Sequence, residues 1–85
     1  MAIPESTRNG IDDYVQGHIP PGDFLKAVLE NNLMGTVFAS DDENLGALLD
    51  ICRYVWNYTP ATCWGSPAKV KAWLYPETVK ETADA

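Results

Sequence analysis

Histidine occurs once in the 85 residues, as His18, and cysteine twice, as Cys52 and Cys63. A lone imidazole with no ligand types around it leaves no metal-binding constellation. Two cysteines, without a secretory leader at the N-terminus, read as reduced and buried thiols and not as a disulfide framework. Basic residues are scarce: 6 Lys and Arg stand against 12 Asp and Glu, for a net charge of −6 and a pI near 4.4. A nucleic-acid polymer needs a basic footprint, so none is expected as a partner. No apolar run approaches the ~20 residues of a membrane span. A soluble protein of the cytoplasm is expected.

Catalytic signatures are also missing. There is no phosphate loop and no dinucleotide fingerprint. Cys63 has no credible base to activate it, and His18, before Ile19-Pro20, reads as a surface or packing residue. Asp41-Asp42-Glu43 is the only acidic run, and adjacent helical side chains point in different directions. It reads as a helix start. The expectation is a protein that is not an enzyme and uses no cofactor and no metal.

The residues present are mostly helix formers, and no segment alternates as a strand. Residues 1–17, with Pro4, Ser6, Thr7, Asn9 and Gly10, read as a loose N-terminal arm, with one helical turn at most near its end. Residues 18–75 read as the helical domain and 76–85 as a polar tail. Pro20-Pro21 delays the first clear helix to Asp23. It carries Phe24, Ala27 and Val28 on one stripe, widened by Leu25 and Leu29, to about Glu30. Asn31-Asn32 ends or bends it. Leu33 to Ala39 is a second apolar piece, interrupted by Gly35.

Ser40 followed by Glu43 matches a capping box, and acids in the first turn suit the helix dipole. A long helix should run from there to Tyr58 and stop before Pro60. Its main apolar stripe is Leu45, Leu48, Leu49, Cys52, Val55 and Trp56; a second is Ala47, Ile51, Tyr54 and Tyr58. A helix with two apolar faces is central or meets another subunit, so a homo-oligomer is expected. Ser66 as cap and Pro67 at the first helical position open the last helix, which turns Val70, Trp73 and Leu74 inward and ends at Tyr75-Pro76. The fold class is all-α, a small bundle of three main helices with short extra turns.

Residues 56–75 hold all three tryptophans and, in Lys69 and Lys71, a local cationic island in an acidic chain. A helix N-terminus offers free N–H groups to an anion. The site read here is Asn57, Tyr58, Trp64, Gly65, Ser66 and Lys69. Trp64 would stack on a ring, and Ser66 with the following N–H groups would hold an anion. Lys69 would add charge, and Asn57 and Tyr58 would supply polar specificity. The plainer alternative is that the tryptophans are core, Ser66 only caps, and the lysines are solvated.

Residues 20–33, Pro-Pro-Gly-Asp-Phe-Leu-Lys-Ala-Val-Leu-Glu-Asn-Asn-Leu, resemble the opening of a family of short proteins encoded in tailed-phage and prophage genomes. Cys63-Trp64-Gly65-Ser66-Pro67 through Trp73-Leu74 is similar to that family's closing motif. The resemblance covers residues 18–75. It implies a phage accessory protein made in the host cell cytoplasm, which favours binding over catalysis. The expected function is sequestration of a small anionic ligand, such as a nucleotide-type host defence signal. The alternative is a protein–protein inhibitor or adaptor acting on a host protein through its aromatic surface.

Overall fold

Pro4 (φ −52°, ψ 137°) stands before the first helix, and the chain turns helical at the next residue, giving α1, Glu5–Gly17. The computed structural model describes residues 3–76, which are all-α: six α-helices, five of them of seven residues or more, with no strand among the described residues. The others are α2 (Asp23–Leu29), α3 (Leu33–Ala39), α4 (Asp42–Gly46), α5 (Leu48–Tyr58) and α6 (Pro67–Leu74), with a 3₁₀ turn at Ala61–Cys63. The tail expected over 76–85 lies, beyond Pro76, outside the described residues.

The stretch read as a loose arm is thus helical from Glu5, and it supplies two fully buried side chains, Ile11 and Tyr14. Packing overrides the turn-forming composition. Gly10, which weakens a helix in isolation, sits where α1 crosses α2: a Cβ there would lie 2.9 Å from Leu25 Cδ1. α1 closes on His18, which adopts the left-handed conformation (φ 54°). The N–H groups of His18 and Ile19 donate back to the carbonyls of Tyr14 and Asp13, and the first of these is the bond of an αL-type ending. His18 is exposed and stacks on Trp73, with ring centroids 4.9 Å apart. Its Nδ1 lies 2.6 Å from the Trp73 carbonyl, so the Nδ1–H donates there.

The core joins Ile11 and Tyr14 of α1, Leu25 and Leu29 of α2, and Ile51 and Val55 of α5, with Ala47, Cys63 and Val70. Full burial of an aliphatic side chain of this size contributes about 1.5–3 kcal/mol. Three hydrogen bonds tie distant elements around it. Tyr14 Oη donates to the Cys63 carbonyl at 2.6 Å, Trp73 Nε1 to the Tyr14 carbonyl at 3.0 Å, and the Gly65 N–H to the Leu29 carbonyl at 2.7 Å.

The long helix expected from Ser40 to Tyr58 is two helices. Asp41, not Ser40, caps α4, accepting from the Asn44 N–H at 2.7 Å. Ser40 Oγ instead donates to the Val37 carbonyl at 2.8 Å and closes α3. The break falls at Gly46-Ala47, where Ala47 takes φ −100°, ψ 6° and its N–H is shared between the Glu43 and Asn44 carbonyls. Thr7 Oγ1 donates to Asn44 Oδ1 at 2.6 Å and anchors α4 to α1. The bend leaves α5 free to follow the core.

The apolar stripes of this segment also divide differently. Ala47, Ile51 and Val55 face the core, while Leu45, Leu49, Cys52 and Trp56 are exposed. Cys52 is therefore not a buried thiol; Cys63 is. The tryptophans divide: Trp56 is 71% exposed, while Trp64 and Trp73 are half-buried and pack against the core.

Candidate functional site

At ~100° per residue, the third side of α5 carries Asp50, Tyr54 and Asn57, with Arg53 beside them. Across from it α1 presents Arg8, Asn9 and Asp12. Between the two helices lies a groove of about 740 Å³, within the ~300–1,000 Å³ usual for small-molecule sites. Tyr58 completes the aromatic wall: its ring centroid is 5.2 Å from that of Tyr54, with the planes tilted by 40°. Tyr54 Oη donates to Asp12 Oδ1 at 2.5 Å, joining the two helices across the groove. That hydrogen bond, with some burial, holds the Tyr54 phenol above its ordinary value. Tyr54 is thus a neutral donor at physiological pH, with its ring fixed in the wall.

The two arginines lining this groove are the chain's only arginines. A guanidinium offers planar, paired N–H donors that fit carboxylate or phosphate. Asp12 and Asp50 bring acceptors to the same walls. The groove therefore suits a ligand that carries an anionic group, N–H or O–H donors, and a flat face for the tyrosines.

The six residues read from sequence do not converge. Asn57 and Tyr58 line the α1–α5 groove. Trp64, Gly65 and Lys69 line a smaller hollow of about 280 Å³ with Trp56 and Ala61. Ser66 lies in neither lining and acts as the cap of α6, accepting from the Lys69 N–H at 3.2 Å. In the smaller hollow the Trp56 and Trp64 rings are 5.6 Å apart and tilted by 55°. Gly65 has φ 123°, a conformation that excludes side chains, and the Lys69 chain lies over it. The Trp64 indole N–H is buried there without an acceptor. Lys71, the other cation of the island, lines a different hollow of about 430 Å³ beside Pro20 and Pro21.

The groove residues missing from the site read in the sequence are Ile3, Arg8, Asn9, Asp12, Asp50, Arg53 and Tyr54. The signal was available: Ile11, Tyr14 and Val15 follow helical spacing, and Arg8 and Asp12 lie one turn apart on that helix. Reading residues 1–17 as an arm hid it. Cys63 is fully buried, and burial pushes its thiol up, which makes it a poor nucleophile. Among the described residues no group of three or more His, Cys, Asp and Glu side chains is placed to hold a metal ion, and no helix is long and apolar enough to cross a membrane. Comparison of the chain with protein-family models, curated proteins and solved structures finds no match.

Proposed function

We propose that the protein is a non-enzymatic phage accessory that binds and sequesters a small anionic ligand bearing a flat ring, of nucleotide type, in the groove between α1 and α5. The observation that carries this reading is the meeting of both arginines with the Tyr54–Tyr58 pair in one groove of about 740 Å³. Arg8 and Arg53 hold the anionic group, the tyrosine pair packs against one face of the base, and Asn9, Asn57 and the carboxylates of Asp12 and Asp50 read its polar edge. The phage context rests on the resemblance carried by residues 20–33 and by Cys63 to Pro67 through Trp73-Leu74. That resemblance is also what supports a location in the host cytoplasm.

Calorimetric titration with a panel of linear and cyclic nucleotides tests the reading. At least one member should bind the wild type. Arg8→Ala and Arg53→Ala should each weaken it tenfold or more, the ~1.4 kcal/mol scale of one charge-assisted contact. Lys69→Ala should leave it unchanged, since Lys69 lines a different hollow. Absence of binding by the wild type to any nucleotide would reject the reading. Equal binding by wild type and both arginine variants would remove the ligand from this groove. A protein–protein inhibitor acting on a host protein is the second reading, and exposed Trp56 and Phe38 favour it, because large exposed aromatics mark protein contacts.

A further inference from the structure

The groove between α1 and α5 holds charges of both signs in equal number. Arg8 and Asp12 stand on the α1 wall, Asp50 and Arg53 on the α5 wall, and the other lining residues are neutral. Two guanidiniums meet two carboxylates, and the groove's own charge cancels. The spacing keeps the cancellation local. Arg8 and Asp12 are four residues apart in sequence, Asp50 and Arg53 three, the separations at which side chains on one helix are neighbours. Each arginine therefore has a carboxylate one helical turn away. Beyond the groove the chain is acidic, with a net charge of −6.

Building on the reading of this groove as a nucleotide site, we infer that its ligand is a nucleotide whose phosphate is a diester, as in a cyclic mononucleotide, and that the groove rejects polyphosphates. A phosphodiester carries one negative charge. A phosphomonoester carries about 1.5–2 at pH 7, and a nucleoside triphosphate more. The planar donors of a guanidinium match the paired free oxygens of a diester, so arginines on the two walls meet this group without a surplus of positive charge. A polyphosphate would bring several charges against Asp12 and Asp50, with both guanidiniums already offset. Like charges set together in this way are a strong bar to the wrong partner. The lysines a phosphate chain would call on, Lys26, Lys69 and Lys71, line other hollows.

The carboxylates act on the base as well. Tyr54 Oη donates to Asp12 Oδ1 at 2.5 Å, which orients that carboxylate at the groove wall. An ionised carboxylate only accepts hydrogen bonds, so Asp12 and Asp50 favour a base edge that carries N–H donors. The same two side chains thus accept from the base and repel additional phosphate.

Calorimetric titration of the full chain, in a chelating buffer so that no divalent ion neutralises a phosphate chain, tests the inference. The probes are cyclic AMP and cyclic GMP, the matching linear monophosphates and the matching triphosphates. For the base that binds, affinity should fall in that order, with the triphosphate about tenfold or more weaker than the cyclic form. Asp12→Asn keeps an oxygen to accept from Tyr54 and removes one negative charge. It should narrow that gap severalfold by strengthening the triphosphate. High salt should narrow it too, because screening weakens the repulsion. If Asp12→Asn loses its helical circular dichroism, the salt series on the wild type gives the reading alone. A triphosphate that binds as tightly as the cyclic form overturns the inference and leaves the nucleotide reading standing. So does a gap that persists unchanged in high salt or in folded Asp12→Asn. Binding by none of the probes rejects the nucleotide reading, and this inference with it.

Discussion

Tyr14 shows how much one side chain does here. It is fully buried, its hydroxyl donates to Cys63 and its carbonyl accepts from Trp73, so it joins α1, the 3₁₀ turn and α6. Tyr14→Phe keeps the ring and strands the Cys63 carbonyl. It should cost about 1–3 kcal/mol, read as a lower denaturant midpoint with unchanged slope. Burial, followed by the nearby Cys63 and Glu30, raises the Tyr14 phenol well above its ordinary value. The folded state therefore holds this proton more tightly than the unfolded chain does. The stability tied to it is complete below the unfolded tyrosine value of ~10 and falls as pH rises beyond it. Wild type should lose stability steeply above that pH, and Tyr14→Phe should lose less. A parallel decline in both proteins would show that Tyr14 does not carry the alkaline limb. The sequence hinted at this residue only through its spacing with Ile11; the acceptor lies 49 residues away, and no local pattern reports such a partner.

At the scale of elements, legibility followed the strength of local chemistry. α2 and α6 begin and end within a residue of their sequence reading, because Pro21, Asn31 and the Ser66-Pro67 pair each restrict the backbone directly. Asn31 does so in the left-handed region, at φ 61°. α3 also fits, with Asn32 as its cap. The misreadings came where two local signals competed. Ser40 and Asp41 are both good caps, and the choice was made by Ser40 bonding back to Val37. Asp41→Ala should therefore cost about 1 kcal/mol, and Ser40→Ala clearly less, in paired denaturant melts. The reverse order would restore Ser40 as the cap. Two glycines extend the argument. At Gly46 an added Cβ meets nothing within 4 Å, so Gly46→Ala should stabilise by about 0.4–1 kcal/mol. At Gly35 the same methyl would lie 2.6 Å from Asn32 Nδ2. Gly35→Ala should displace the α3 cap and outweigh any gain in helix propensity, lowering the melting temperature. A rise in both variants would mean that the Asn32 cap contributes little.

For the whole molecule, α5 divides its circumference among three tasks. Ala47, Ile51 and Val55 enter the core, Asp50, Tyr54 and Asn57 face the groove, and Leu49, Cys52 and Trp56 reach solvent. The sequence made α5's surplus of apolar surface legible, and with it the expectation of self-association. It did not sort Leu48 and Val55 from Leu49 and Trp56, because that division depends on where α1 and α2 land. Nor could it bring Arg8 and Arg53 to one groove, which they share only through tertiary packing of α1. The expected self-association would leave its mark on thermal unfolding. A dimer that unfolds to two chains melts at a temperature that rises with protein concentration, by mass action. Wild type should show that rise, and its melting temperature in dilute solution should approach that of Phe38→Glu, whose own value should not depend on concentration. An Arg53→Ala protein, altered only in the groove, should follow the wild-type concentration dependence. If Arg53→Ala instead melted like Phe38→Glu, the groove and the interface would be one surface, and the separation of α5 into three working sides would fail.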